Sequence, residues 1–292
     1  MRALTFLAGR FVAGDTAAEA MRAVRALNER GLKATLDYLG EDCASEAQAD
    51  AAAGEYVQLL RRIAEAGLDC NVSLKLTQFG LNLDAGLARR NLLRVVEEAH
   101  ARRNFVRIDM EGSAYTQRTL DLFHDVFEAH NNVGVVIQAA LKRSRADVAR
   151  MNRAGARVRL CKGAYREPAE VAFQEKEEVN ESFDRLAAEL LENGNYPGLA
   201  THDEDRIRAA IRFSRKKGIP PDRFEFQMLY GLRPKWWGEL AASGFVVRVY
   251  VPYGTHWLPY FMRRLRERKE NWMFVLKNLA RGWTSIRPEN NS

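Results

Sequence analysis

Short apolar runs alternate along the chain with longer segments in which apolar residues recur every three or four positions. Eight of these runs predict strands, several of them rich in valine, isoleucine, leucine or phenylalanine, as is typical of strands buried on both faces of a parallel sheet. They are residues 32–40, 70–76, 105–110, 133–138, 157–163, 198–203, 224–228 and 245–251. We therefore expect a sheet of mostly buried strands.

The segments between the strands have the spacing and the charge of amphipathic helices. The clearest are residues 53–67, 87–102, 116–130 and 177–194. Strands that alternate with helices favour a parallel sheet, and a count of eight strands favours a (β/α)8 barrel of the TIM type. The alternative is an open Rossmann-like sheet, but no strand is followed by the GxGxxG motif with which such sheets bind dinucleotides.

No linker or shift in composition divides the chain, so we expect one α/β domain over residues 1–292. Residues 1–31 would form a helical lead-in, residues 32–255 the barrel, and residues 256–292 a terminal helix and tail. No apolar run approaches the about 18 residues that a bilayer-spanning helix needs, which favours an intracellular protein.

The last predicted helix, residues 257–279, has two faces of opposite character. One stripe carries Tyr260, Arg263, Arg264 and Glu267. The opposite stripe, which we expect to be buried, carries Leu258, Phe261, Met262 and Leu265. Two adjacent guanidinium groups suit a carboxylate or phosphate ligand because they offer bidentate donors, although an exposed basic face has the same spacing.

Polar residues that apolar packing does not require lie on several of the predicted strands, at or near their ends. They are Lys75, Asp109, Glu111, Gln138, Arg159, Lys162, Thr201, His202, Asp203, Gln227 and Tyr250. Each has a structural explanation when it is taken alone, such as a helix cap or a side chain that reaches the barrel rim. Active sites of barrels lie at the C-terminal ends of the strands, so the whole group predicts a binding site there.

The net charge and the spacing of possible metal ligands exclude few classes of function. The net charge is +7, and the segment from residue 256 to 292 holds eight basic and three acidic residues. Such a segment can attract nucleic acid, anionic lipid or a small anion, or it can be a solvated helix face. The three cysteines form no CxxC pair and the five histidines show no HxH or HExxH spacing, so we expect neither disulfides nor a metal site.

Eight motifs, in order along the chain, resemble those of the monofunctional bacterial proline dehydrogenases. They are SLKL, RIDME, VIQAAL, RLCKGAY, ATHD, FEFQMLYG, VYVPYGTH and RRLRE. The resemblance implies a distorted (β/α)8 barrel that binds FAD and oxidises L-proline to Δ1-pyrroline-5-carboxylate by hydride transfer to flavin N5. It also implies a membrane quinone as electron acceptor and a cytoplasmic protein that touches the inner face of the cell membrane.

The same resemblance implies roles for individual residues. Asp109, Arg159 and Tyr165 would be catalytic. The substrate-binding residues would be Lys75, Leu229, Tyr250, Arg263, Arg264 and Glu267. Within that set the lysine and the arginines would hold the proline carboxylate, and the glutamate would pair with the arginines. The cofactor-binding residues would be Met110, Gln138, Arg159, Lys162, Gly163, Ala164, Thr201, His202 and Gln227.

Two other functions stay open at this point. The first is a Schiff-base aldolase or lyase that uses Lys75 or Lys162 on a barrel strand and binds no flavin. The second is a non-enzymatic protein that binds anions or nucleic acid through the basic terminal segment. That segment lacks the interleaved aromatic residues of RNA-binding proteins, so we expect no nucleic-acid partner.

Overall fold

The structure is a computed structural model that describes residues 10–266, with side chains as far as Arg263. Eight parallel strands form a closed barrel in chain order, and the last strand pairs with the first. The strands are Lys33–Tyr38 (β1), Cys70–Leu74 (β2), Val106–Ile108 (β3), Val133–Gln138 (β4), Arg157–Cys161 (β5), Gly198–Ala200 (β6), Glu225–Leu229 (β7) and Val246–Tyr253 (β8). This architecture confirms the predicted (β/α)8 barrel.

Helices alternate with the strands, and their apolar faces join those of the strands in one core. Within residues 10–266 the α-helices are Ala17–Asn28 (α1), Glu46–Glu65 (α2), Ala85–Ala101 (α3), Ser113–Phe127 (α4), Ser144–Ala154 (α5), Lys176–Asn193 (α6), Glu204–Lys217 (α7), Pro234–Ala242 (α8) and Trp257–Arg266 (α9). A 3-10 turn, Pro221–Arg223, leads into β7. The predicted helical periodicity is confirmed in each of the four clearest segments.

Capping residues explain where the first helices begin. The hydroxyl of Thr16 accepts a hydrogen bond from the backbone N–H of Glu19, whose side chain accepts one from Thr16 in return, and α1 begins at Ala17. Ser45 caps α2 through the N–H of Gln48, so α2 begins seven residues before the predicted boundary. The alanine-rich first turns of α2 have weak periodicity, which is why the pattern missed them.

The interior of the barrel holds charged side chains that pair with one another. The Nε of Arg248 donates a hydrogen bond to Oε1 of Glu225 over 2.8 Å, and its Nη1 donates to the carbonyl oxygen of Ala34 over 2.8 Å. Burial opposes ionisation of Glu225, but the charge of Arg248 outweighs it, and the pKa of Glu225 lies below its usual value. This ion pair lies beneath the C-terminal end of the barrel and supports the polar side chains above it.

Replacing Arg248 with methionine is expected to lower the free energy of unfolding by about 3–5 kcal/mol, because Glu225 would stay buried without a counter-charge. Urea unfolding followed by circular dichroism measures the effect. Lys217→Ala is the control, since its 2.7 Å pair with Glu192 is exposed and such pairs contribute at most about 1 kcal/mol. Equal losses in the two variants would contradict the importance assigned to the interior pair.

Within residues 10–266, none of the helices combines the length and the apolar character that crossing a bilayer requires. The described part of the predicted terminal helix is α9, and residues 267–279 lie outside the described residues. The division of the chain into lead-in, barrel and tail stays a prediction.

Candidate active site

A cavity of about 930 Å³ lies at the C-terminal ends of the barrel strands. Every predicted site residue whose side chain is described lines it. These residues are Lys75, Asp109, Met110, Gln138, Arg159, Lys162, Gly163, Ala164, Tyr165, Thr201, His202, Gln227, Leu229, Tyr250 and Arg263. The side chain of Arg264 and the whole of Glu267 lie outside the described residues. The structure thus brings the predicted set together, and the role of each residue stays a prediction.

Strand β1 contributes a residue that the sequence reasoning missed. Asp37 has 0% of its surface exposed, and its Oδ2 lies 3.2 Å from the ammonium nitrogen of Lys75. Burial disfavours the charged form of Lys75, but the neighbouring carboxyl groups of Asp37 and Asp109 outweigh it and raise the pKa of Lys75 above its usual value. Burial raises the pKa of Asp37 as well. The signal that could have identified it is a carboxylate inside an apolar strand.

Arg159 crosses the barrel from β5 and joins three other strands. Its Nη1 donates hydrogen bonds to Oδ1 of Asp109 over 2.7 Å and to Oγ of Ser73 over 2.9 Å. Its Nε donates to the side-chain oxygen of Gln227, and Nε2 of Gln227 donates in turn to Oε1 of Glu225 over 2.5 Å. The guanidinium is therefore held at its position by the interior polar side chains and faces the cavity.

Tyr250, on β8, lies between two carboxyl groups. Its hydroxyl oxygen is 2.6 Å from Oδ2 of Asp37 and 2.9 Å from Oδ2 of Asp109. Burial and the two nearby carboxyls raise the pKa of Tyr250 well above its usual value, so the phenol stays protonated. The guanidinium carbon of Arg159 lies 5.4 Å from the centre of the Tyr250 ring. A continuous series of polar contacts therefore runs from Lys75 to Arg159.

Arg263, on α9, has a described partner that the sequence did not predict. Its two Nη atoms donate to the carboxylate of Glu41, just after β1, over 3.1 and 2.5 Å. Glu267, the predicted partner, lies outside the described residues, so that pairing stays untested. The charge of Glu41 offsets the cost of burying the guanidinium and raises the pKa of Arg263. The same guanidinium lies 5.8 Å from the centre of the Tyr165 ring.

The predicted buried stripe of α9 is wrong at one position. Leu258 is 52% exposed, whereas Phe261 is fully buried and Tyr260, from the opposite stripe, is buried too. The helix packs one edge against a small apolar cluster that includes Phe11 and Val12, so the buried face is rotated relative to the prediction. Periodicity finds an apolar stripe but not the neighbour that covers it.

Glu111 is a buried acid next to the cavity. Its carboxyl oxygens accept hydrogen bonds from the hydroxyl and the N–H of Thr77 over 2.5 and 3.2 Å, and its carbonyl oxygen accepts one from Nε2 of Gln138 over 2.9 Å. Burial raises the pKa of Glu111 to about 7, although Thr77 and Lys75 act in the opposite direction. The backbone of this acid therefore holds Gln138 at the cavity wall.

The raised pKa of Glu111 predicts a loss of stability with rising pH. A folded-state pKa of about 7 lies above the unfolded value, so the folded chain binds more protons and stability declines as the pH rises through 7. The difference corresponds to about 3 kcal/mol. Glu111→Gln is expected to remove this decline, because an amide can make both hydrogen bonds to Thr77. Thermal unfolding between pH 5 and pH 8 tests it, and an unchanged decline in the variant would contradict the assignment.

The other wall of the cavity is formed by the loops after β5 and β6. Lys162 donates hydrogen bonds to Asn180 over 2.5 Å and to Asp203 over 2.6 Å. Gly163 follows with a φ of +118°, a conformation that disfavours other residues, and a Cβ there would lie 3.2 Å from the Cβ of Ala140. Nε2 of His202 accepts a hydrogen bond from the N–H of Leu229 over 3.0 Å. This wall therefore combines fixed polar groups with backbone that a ligand can approach closely.

Comparisons with known proteins agree with the motifs. The family model described as proline dehydrogenase matches residues 20–277. The chain is 44% identical over 274 residues to proline dehydrogenase 1 of Bacillus subtilis strain 168, covering 94% of this chain and 91% of that protein. It is 39% identical over 282 residues to the proline dehydrogenase of Deinococcus radiodurans, covering 94% of this chain and 91% of that protein.

Comparisons with solved structures also point to this family. Proline utilization A of Bdellovibrio bacteriovorus, inactivated by N-propargylglycine, superposes with a TM-score of 0.83 at 25% identity and covers 89% of this chain. The match spans 32% of that longer protein. Proline utilization A of Bradyrhizobium japonicum has the same fold, with a TM-score of 0.75 at 23% identity over 88% of this chain and 30% of the other. The chain therefore belongs to the proline dehydrogenase family.

Proposed function

We propose that the chain is an FAD-dependent proline dehydrogenase that oxidises L-proline to Δ1-pyrroline-5-carboxylate, the first step of proline catabolism. Besides membership of the family, one structural observation supports this proposal most. Lys75, Arg159 and Arg263 place three cationic groups on the walls of a single cavity. An anionic substrate in a shielded cavity needs such counter-charges, because water cannot supply them there.

The residues present fit a flavin dinucleotide. The cavity volume of about 930 Å³ lies at the upper end of the range for ligand pockets, as a ligand of that size requires. The backbone at Gly163 can approach a planar ring closely because it has no side chain in the way. The residues that would hold FAD are Met110, Gln138, Arg159, Lys162, Gly163, Ala164, Thr201, His202 and Gln227. When bound, FAD supplies the hydride acceptor.

The chain's own residues bind and orient the substrate in this proposal. Lys75 and Arg263 bind the carboxylate, and Asp37 and Glu41 keep each cation in place. Tyr165, Leu229 and Tyr250 surround the pyrrolidine ring and exclude water from it. Holding the reacting carbon in one geometry lowers the entropic part of the barrier.

The Schiff-base alternative is not favoured. A lysine forms an imine only as the neutral amine, and the carboxyl groups around Lys75, those of Asp37, Asp109 and Glu41, raise the pKa of its ammonium. The side-chain nitrogen of Lys162 lies 2.6 Å from Asp203 and is engaged by that carboxylate. Both lysines therefore suit the binding of anions better than nucleophilic attack.

An anaerobic visible absorption spectrum, taken before and after L-proline is added, tests the proposed function. We expect flavin bands that bleach with L-proline and persist with D-proline. Flavin bands that persist with both enantiomers would support the flavoprotein assignment and refute L-proline as the substrate. A protein that shows no flavin bands even after FAD is supplied would refute the cofactor.

We further propose that electrons pass to a membrane quinone and that the protein works in the cytoplasm, in contact with the inner face of the cell membrane. The basic character of residues 256–292 supports this, since anionic lipid attracts such segments. Reduction of a quinone in anionic vesicles, faster than in neutral vesicles at low salt, is the expected result. Equal rates in the two vesicle types would contradict the membrane contact.

A further inference from the structure

The two contacts of the Tyr250 hydroxyl favour a site that holds one more proton than a fully ionised network would. The hydroxyl oxygen of Tyr250 is within hydrogen-bond distance of Oδ2 of Asp37, at 2.6 Å, and of Oδ2 of Asp109, at 2.9 Å. A phenol has one proton and can donate it to one acceptor. If both carboxyls were ionised, the other contact would place lone pairs of two oxygens against each other. Both contacts are full hydrogen bonds when one carboxyl is an acid that donates to the phenol.

The surroundings of the two carboxyls show which one carries the proton. Asp109 receives hydrogen bonds on Oδ1 from Arg159 over 2.7 Å and from Ser73 over 2.9 Å, and both stabilise its anion. Asp37 is fully buried, and the ammonium of Lys75 approaches its oxygens only to 3.2 and 3.4 Å. The hydroxyl of Tyr56 lies 3.3 Å from Asp37, but at 2.7 Å it donates to the carbonyl oxygen of Ser73. The donors that contact Asp109 are thus closer than those that contact Asp37, which favours Asp37 as the carrier of the proton.

We propose that Asp37 is a neutral carboxylic acid in the free protein and acts as a positioning residue for the substrate site. Its O–H donates to Tyr250, and Tyr250 donates to ionised Asp109, which fixes the direction of the phenol proton. Lys75 then faces a neutral group and keeps its whole charge for a carboxylate ligand. The part of this inference that concerns the ligand rests on the proposed function, whereas the protonation of Asp37 does not.

Deprotonation of Asp37 would therefore weaken the binding of a carboxylate. The groups that face Asp37 are Lys75 from the end of β2, Asp109 from the end of β3, Tyr250 from β8 and Tyr56 from α2. An anionic Asp37 would neutralise the charge of Lys75. It would also repel the carboxylate of Asp109 on the other side of the Tyr250 hydroxyl. We expect affinity for a proline isostere with a ring oxygen, which has no N–H to oxidise, to fall about tenfold when the acid proton is lost.

Infrared difference spectroscopy of the flavin-loaded protein tests the protonation directly. Wild type minus Asp37→Asn should show a carboxylic-acid carbonyl band, and the acid band of Glu111 cancels because it is present in both proteins. Tyr250→Phe should shift the band in frequency, since the acid loses its acceptor, and this variant serves if Asp37→Asn does not fold. A difference spectrum that holds only carboxylate bands at neutral pH would overturn the proposal.

The pH profile of isostere binding tests the positioning role. In wild type, the acid band and the affinity should decline together as the pH rises, whereas Asp37→Asn should show less than about a twofold decline over the same range. The amide suits the site because it can donate to Tyr250 and accept from Lys75. An affinity that falls equally in both proteins would overturn the role. A protein with the acid band that binds neither proline nor the isostere would refute the proposed function and support the protonation.

Discussion

Replacing Arg159 with methionine is expected to slow reduction of the bound cofactor by L-proline about 100-fold or more, and to weaken cofactor retention. The guanidinium is buried, faces the cavity, and is held by Gln227, Ser73 and Asp109. Its removal would leave Asp109 without its counter-ion and remove a fixed positive charge from the proposed flavin site. Loss of one fixed electrostatic group at a reacting centre raises the barrier by about 2.7–4 kcal/mol, which corresponds to a 100-fold effect or more. Flavin content and anaerobic stopped-flow reduction measure the two results.

Arg157→Met is the matched control for this experiment. Arg157 lies on the same strand, but at its N-terminal end, where its guanidinium carbon is 5.3 Å from the ring centre of Phe105 and 5.4 Å from that of Tyr196. We expect this variant to retain flavin and to be reduced at a rate within about threefold of wild type, because the charge lies at the opposite end of the barrel. Normal flavin content and normal reduction in the Arg159 variant would show that Arg159 is structural.

The strands could be predicted because the closed barrel buries each of them on both faces. Apolar runs are then the dominant signal, and all eight strands lie within the predicted ranges or extend past them by at most two residues. The predicted ends were less accurate where strands enter the site. The third and sixth strands end at Ile108 and Ala200, before the predicted residues 110 and 203, because the chain turns there to present polar side chains. The early ends of these two strands therefore coincide with the position of the candidate site.

The partners of Asp37 and Glu41 in the site could not be predicted from sequence alone. Their partners Tyr250 and Arg263 lie 213 and 222 positions further along the chain. Only closure of the barrel, with β8 beside β1, brings these residues together. Local patterns report burial and periodicity but not the partner of a charge, so a carboxylate on the first strand has no visible counter-ion in the sequence.

The other large effect is expected for Lys75→Met, which should raise the KM for L-proline about 100-fold or more while the flavin stays bound. Lys75 is 5% exposed and lines the cavity, so water cannot replace its ammonium as the partner of a carboxylate. The substitution is expected to weaken substrate binding and not flavin binding, because the residues proposed to contact the flavin lie on or after β3 to β7. Steady-state kinetics with a quinone analogue, and titration with the ring-oxygen isostere, measure it.

Lys162→Met separates a substrate role from a general need for positive charge. Lys162 also lines the cavity, but it pairs with Asp203 and Asn180 on the proposed cofactor side. Its replacement should weaken flavin retention and change the KM for proline less than about threefold. Equal increases in KM for the two lysine variants would contradict a specific carboxylate contact at Lys75. A different result would support the Schiff-base mechanism instead. Borohydride would then trap the substrate covalently on the wild-type protein but not on the Lys75→Met variant. A lysine that acts only as a counter-ion forms no covalent adduct.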